Sequence, residues 1–139
     1  MDKYNAEHYS DPTAARALAN VVREEREKAK HYRPLVYVCS PYAGDTERNT
    51  ARACGYCRFV VSEGRIPLAP HLLYPQFMDD SDRESRELGL SFAHILLSKC
   101  DEVWVFGSRI SNGMAREIEK AKRREITIRY FNEKCEANG

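Results

Sequence analysis

Short apolar runs along the chain alternate with longer segments whose apolar residues recur at helical spacing. The runs are rich in β-branched and aromatic residues and lie between prolines, glycines and charged residues, which is typical of buried strands. The predicted strands are residues 35–39, a short one at 66–69, 102–107 and 126–131. The helices predicted between them are residues 45–61, 81–99 and 111–124.

This alternation predicts the α/β class. We expect a three-layer, Rossmann- or flavodoxin-like parallel sheet of about four or five strands, with helices on both faces. Ligands of such sheets bind beyond the carboxyl ends of the strands. Three segments follow predicted strands at that edge: residues 40–45, 70–80 and 107–117. Residues 70–80 contain two prolines and no helical periodicity, which predicts a loop.

Polar residues and glycine indicate where the predicted helices begin and end. Ser81 followed by Glu84 forms a capping-box pattern, and Ser111 is an N-cap residue for the last helix. Along that helix Met114 and Ile118 form an apolar stripe toward the core. Gly64 is expected in the left-handed conformation that ends a helix.

Residues 1–33 differ from the remainder, residues 34–139, which we predict to be the α/β domain. Asp11 and Pro12 together predict a helix start, and an apolar stripe from Ala14 to Val22 precedes an almost entirely charged segment. Two interpretations stay open. The helix either lies partly exposed across the domain or packs on a partner subunit.

The composition narrows the choice of partner. The 139 residues carry a formal net charge of +1, which argues against nucleic-acid binding by a large basic face. No apolar run is long enough for a membrane span, and the polar N-terminus lacks the pattern of a signal peptide, so we expect no membrane association and a cytoplasmic location. A small molecule is the expected partner.

Five cysteines form no disulfide framework. Cys54 and Cys57 have the spacing of a redox pair, but they fall inside a predicted helix rather than at its N-terminus, so core or surface thiols are the simpler interpretation. A zinc site that adds His71 would lack a fourth ligand. We therefore expect no metal and no cofactor.

The last helix start combines an anion site with a carboxylate. Ser111, Asn112 and Gly113 open the helix, where unpaired N–H groups favour a phosphate or carboxylate. Glu117 lies one turn beyond Gly113 on the same face, about 9 Å along the axis from Ser111 at ~1.5 Å per residue. Such a carboxylate can attack a sugar carbon. The alternative is that Ser111 is only a cap and Glu117 a solvated residue.

The first loop, residues 40–45, also offers polar groups. Ser40 supplies a hydroxyl, Tyr42 a phenol and Gly44 a tight turn, although Tyr42 can equally be a rim aromatic. The chain contains neither G-K-[ST] nor G-x-G-x-x-G, so ATP hydrolysis and dinucleotide binding lack their key residues. Arg48, Arg52 and Arg58 on the next helix are most simply solvated, although Arg48 lies near enough to reach an anion.

Several segments together resemble the nucleoside 2-deoxyribosyltransferase-like superfamily, in particular its small bacterial and phage branch. They are VYVCSPYAG, Asn49, PLAPHLLYP, CDEVWVFG and SNGMAREI, and the resemblance covers about residues 35–131. The most specific element is S-x-G-M-x-x-E. By this resemblance Glu117 is the nucleophile that takes the anomeric carbon of the sugar, and Ser111 and Gly113 hold a 5′-phosphate.

The resemblance also implies that Tyr42 positions the sugar and that Asp101 matches an Asp that opens the third strand. Asp101 joins Ser40, Gly44, Asn49 and Asn112 in the predicted substrate-binding set; the alternative is that Asp101 is only a turn or cap residue. It further implies a nucleotide or nucleoside substrate and a homo-oligomer.

One departure affects the chemistry. Where enzymes of the superfamily carry an Asp that helps to protonate the leaving base, this chain has Ala93. His71, beside the site, is the better candidate for a substitute acid, since the adjacent His94 points about 100° away on the helix; the alternative is that His71 is a structural or surface histidine. Two functions stay open: N-glycosidic hydrolysis or sugar transfer on a nucleoside 5′-monophosphate or related nucleotide, or a non-catalytic nucleotide-binding module of the same fold.

Overall fold

A computed structural model of the chain describes residues 12–29 and 32–138. The chain divides into two compact units, with the boundary between Tyr32 and Arg33. In the first unit, α1 spans Pro12–Ala29, and its apolar residues Leu18, Val21 and Val22 are exposed. The predicted helix is confirmed, while its predicted cap, Asp11, lies outside the described residues.

The second unit is built around a four-stranded parallel sheet in the order β2-β1-β3-β4. The strands are β1 (Leu35–Cys39), β2 (Ile66–Leu68), β3 (Glu102–Phe106) and β4 (Thr127–Phe131). The helices are α2 (Thr46–Ser62), α3 (Pro70–Leu73), α4 (Arg83–Leu97) and α5 (Asn112–Arg123), with a 3₁₀ turn at Tyr74–Gln76. The predicted α/β class and parallel sheet are confirmed.

Alternate residues of β1 and β3 point to opposite faces of the sheet, and each face is covered by helices. On the α4 and α5 face the buried residues are Tyr37, Cys39, Leu97, Cys100, Val103, Val105, Met114, Ile118 and Ala121. On the α2 face they are Val36, Val38, Tyr56, Val60, Trp104, Phe106 and Phe131. The central strands are therefore buried on both sides, as their continuous apolar runs predict.

Three predicted helix ends are confirmed. The Asp45 carboxylate accepts a hydrogen bond from the backbone N–H of Arg48 at 3.1 Å, and Ser111 Oγ accepts one from the N–H of Met114 at 3.3 Å. Gly64 has a φ of 76°, the left-handed conformation expected after α2.

Within the described residues, no helix is both long and apolar enough to cross a membrane.

Two predictions about residues 70–82 were wrong. The predicted loop contains α3 and the 3₁₀ turn, because Pro70 and Pro75 stand at helix starts, where a missing N–H costs nothing. The N-cap of α4 is Asp82, whose carboxylate accepts from the N–H of Ser85, whereas the Ser81 hydroxyl donates to Asp79.

Asp101 lies at the amino edge of the sheet, opposite the edge that carries the predicted site. Its carboxylate accepts a hydrogen bond from the backbone N–H of Leu35 at 2.8 Å, and its own N–H donates to the Leu35 carbonyl at 2.8 Å. These bonds join the start of β1 to the start of β3. The position of Asp101 therefore supports a structural role rather than the predicted contact with substrate.

We expect Asp101→Ala to lower the free energy of unfolding by about 1 kcal/mol, because the N–H of Leu35 loses its acceptor. Thermal or urea unfolding measures the loss. Asp101→Asn, which keeps an acceptor oxygen, should recover most of it. Unchanged stability together with weakened ligand binding would contradict this assignment.

Candidate active site

A cavity of about 880 Å³ opens at the carboxyl edge of the sheet, between the first loop and helices α3, α4 and α5. Seven of the predicted site residues line it: Ser40, Tyr42, His71, Ser111, Asn112, Gly113 and Glu117. The fold thus brings residues from three separate segments of the chain to one cavity. Gly44, Asn49 and Asp101 are not part of its lining.

Glu117 is held by a residue that the sequence did not indicate. Tyr37, in the middle of β1 and 2% exposed, lines the same cavity as Glu117, and its hydroxyl is placed to donate a hydrogen bond to the Glu117 carboxylate. Burial, with the charge of Glu117 adding to it, raises the pKa of Tyr37 well above its ordinary value, so the phenol keeps its proton and remains a donor.

The same environment changes the acidity of Glu117. Burial raises its pKa from 4.5 to about 7, and the hydrogen bond from Tyr37 opposes part of that rise. Near neutral pH, Glu117 is therefore present in both the acid and the carboxylate form. A partly desolvated carboxylate facing a cavity can serve as a nucleophile or a base.

The start of α5 presents helix-end N–H groups to the cavity, at the place where the sequence predicts an anion site. Since Ser111 Oγ accepts from the N–H of Met114, the N–H groups of Asn112 and Gly113 are the helix-end donors next to the cavity. A Cβ added to Gly113 would meet no protein atom within 4 Å, so its side-chain position is open toward the cavity. Met114 and Ile118 are buried in the core between α5 and the sheet and fix the rotation of the helix.

The first loop is anchored to α2. The side-chain amide of Asn49 donates to the carbonyls of Tyr42 and Ala43, each at 3.1 Å, which makes Asn49 a positioning residue for Tyr42 rather than a substrate ligand. Gly44 has a φ of 98° and serves the turn instead of lining the cavity. The predicted roles of Asn49 and Gly44 as substrate ligands are corrected accordingly.

His71 stands at the back of the cavity. Its Nε2 lies 3.4 Å from Ser40 Oγ, and its ring centroid lies 5.5 Å from that of Tyr42. Burial lowers the pKa of His71 from 6.5 to about 4, so the imidazole is neutral at pH 7. It can hydrogen-bond to a ligand there, but an imidazolium acid in place of the residue missing at Ala93 is not supported.

Sequence reasoning also missed a carboxylate on the cavity wall. Asp80 lines the cavity; burial, with the charge of Asp80 adding to it, raises the pKa of Tyr42. The neighbouring Asp79 is engaged by Ser81, whose hydroxyl and N–H donate to it at 2.6 and 2.9 Å. The sequence could have indicated Asp80, because Asp79 and Asp80 lie in the segment after β2, which is expected at the ligand-binding edge of the sheet.

Two alternative chemistries find no support in the geometry. Cys57 lies inside α2, and burial raises its pKa to about 11, the opposite of a reactive thiol. Over the part of the chain that the structure describes, no group of three or more His, Cys, Asp or Glu residues is placed to hold a metal ion.

Solved structures with a similar fold include two transferases. A 2-deoxyribosyltransferase from the psychrotolerant bacterium Bacillus psychrosaccharolyticus superposes with a TM-score of 0.57 at 14% identity, over 70% of this chain and 72% of that one. A 2-desoxiribosyltransferase from Leishmania mexicana gives 0.50 at 15% identity, over 71% and 64%. At such identities the likeness is one of fold.

A comparison with curated proteins found no match. The model of the family described as a domain of unknown function, DUF7768, matches residues 34–131, which contain every residue that lines the cavity. The chain belongs to this DUF7768 family.

Proposed function

We propose that the protein breaks the N-glycosidic bond of a nucleoside 5′-monophosphate or related nucleotide, with Glu117 as the nucleophile. The observation that carries the proposal is the position of the Glu117 carboxyl on the wall of the large cavity, beside the hydroxyl of Tyr37 and one turn along α5 from Gly113. The fold shared with 2-deoxyribosyltransferases supports glycosyl transfer as the class of chemistry. Hydrolysis and transfer differ only in whether water or a second base accepts the sugar.

Binding of the substrate would begin at its phosphate. The helix-end N–H groups of Asn112 and Gly113 attract a phosphate dianion, and the dipole of α5 adds to that attraction. The sugar then extends along the helix toward Glu117, a rise of about 9 Å from Ser111. Tyr42, across the cavity, is placed to contact the sugar or the base.

In the first step a Glu117 carboxylate oxygen bonds to the anomeric carbon while the glycosidic C–N bond breaks. The bonding pair leaves with the base, which takes up a proton from water in the cavity. In the second step water attacks the same carbon, loses a proton and regenerates the carboxylate; in transfer, a second base replaces water. The Tyr37 hydroxyl holds the attacking carboxylate in place and keeps part of it ionised.

A second candidate function is nucleotide binding without turnover. Ala93 lies on the cavity wall where related enzymes carry an acid, and the low pKa of His71 leaves no imidazolium there to replace it. A base that departs without a proton donor leaves slowly.

A homo-oligomer remains an expectation from the family resemblance.

Mass spectrometry of nucleosides and nucleotides incubated with the protein separates these functions. We expect base release from at least one nucleotide, reduced about 10³-fold or more in Glu117→Gln because the nucleophile is lost. Glu119→Gln is the matched control, since Glu119 is exposed on the same helix and pairs with Arg123. Saturable nucleotide binding that Ser111→Asp weakens, with no product over hours, would instead favour the binding module.

The activity should also depend on pH through Glu117. Because the carboxylate is the reactive form and its pKa is about 7, kcat should rise as the pH increases through about 7. Tyr37→Phe removes a hydrogen-bond donor that favours the ionised form of Glu117, so the rise in kcat should move to higher pH. A rise in kcat centred near pH 4.5 in the wild type, or a rise at the same pH in Tyr37→Phe as in the wild type, would count against Glu117 as the nucleophile.

A further inference from the structure

A second cavity, of about 360 Å³, lies on the α2 side of the first loop. It is formed by α2, the segment that follows β3 and the residues after β4. Among the described residues, none lines both this cavity and the one that contains Glu117. The function proposed above involves none of the residues that line this second cavity.

Three arginines converge on this second cavity. Arg48 and Arg52 are one turn apart on α2, so their side chains leave the same face of the helix, and Arg109 enters from the segment after β3. In the described part of the chain, none of the three forms an ion pair with a carboxylate within 4 Å. Their guanidinium groups are therefore available to a ligand.

Glu133 is the acidic residue in the lining, and one of its carboxylate oxygens is already engaged. Its Oε1 accepts from the N–H of Ser108 at 2.8 Å and from the Ser108 hydroxyl at 2.7 Å. These bonds, with a smaller contribution from Arg52, lower the pKa of Glu133 to about 2. Three guanidinium groups and one carboxylate leave two positive charges in the cavity.

We propose that this second cavity binds the phosphate group of a small phosphorylated molecule, separately from the site at Glu117. Two excess positive charges match a phosphate dianion, and guanidinium groups present paired donors that fit phosphate oxygens. A nucleic-acid backbone is disfavoured because the cavity is small and concave and the whole chain is nearly neutral. The proposal does not depend on catalysis by Glu117.

The position of the cavity also suggests what its ligand would touch. Asn49, which holds the carbonyls of Tyr42 and Ala43, lines this cavity between the two α2 arginines in sequence. A phosphate bound by Arg48 and Arg52 would therefore lie against the residue that positions the first loop of the other cavity.

Calorimetric titration of the whole protein with inorganic pyrophosphate at about 0.15 M ionic strength tests the proposal. We expect saturable binding that weakens about tenfold or more in Arg52→Gln and in Arg48→Gln, because each loses charge-assisted hydrogen bonds. Glu133→Gln keeps an acceptor for Ser108 and removes a negative charge, so it should bind pyrophosphate more tightly. Thermal unfolding of each variant establishes that it is folded.

Two controls locate the bound anion. Arg58→Gln changes an exposed arginine on the same helix that lies outside the cavity, and it should leave the affinity unchanged. Ser111→Asp places a negative charge at the α5 N-terminus and should leave binding at the arginine cavity unchanged, although it weakens any binding of pyrophosphate in the Glu117 cavity. The proposal is overturned if pyrophosphate does not bind, if Arg58→Gln weakens binding as much as Arg52→Gln, or if only Ser111→Asp weakens it.

The phosphate at the arginines could belong to a separate small molecule or to a longer nucleotide that also occupies the Glu117 cavity, and a further titration distinguishes the two. A free phosphorylated molecule would still bind when a nucleoside monophosphate saturates the Glu117 cavity. The distal phosphate of a longer nucleotide that spans both cavities would compete with pyrophosphate and lose affinity in both Arg52→Gln and Ser111→Asp. Either result places a phosphate at the arginines.

Discussion

The interaction between the Tyr37 hydroxyl and the Glu117 carboxyl is the one on which the proposed site depends, because it connects the central strand β1 to helix α5. Tyr37 points to the α5 face together with Cys39, and its ring is part of the core there. The N-cap at Ser111 fixes where α5 begins, and buried Met114 and Ile118 fix its rotation. Glu117 is therefore held at the cavity wall because β1 and α5 are both packed into the same core.

Holding a carboxyl group in this environment costs stability at neutral pH. The folded protein binds the proton of Glu117 more tightly than the unfolded chain does, since its pKa rises from 4.5 to about 7. The contribution of this group to stability is full below about pH 4.5 and is lost as the pH rises through 7. The loss is on the order of 2 kcal/mol for a partly buried group. A site that costs stability is typical of function.

Local patterns were enough to predict the parallel sheet, the start of α2, the cap at Ser111 and seven residues of the cavity lining, because strand runs and helix starts depend on neighbouring residues. Contacts between distant segments were not accessible in the same way. Tyr37 resembles an ordinary core residue in its strand, and its partner is eighty residues away along the chain. The amide of Asn49 and the carboxylate of Asp101 resemble ligands until the backbone groups they bind are known.

The most direct test of the central claim is a titration of the Glu117 carboxyl by NMR in the free protein, with Tyr37→Phe as the comparison. The account predicts a pKa of about 7 in the wild type and a higher value in Tyr37→Phe, which loses the stabilising donor. A wild-type value near 4.5, or the same value in both proteins, would contradict it.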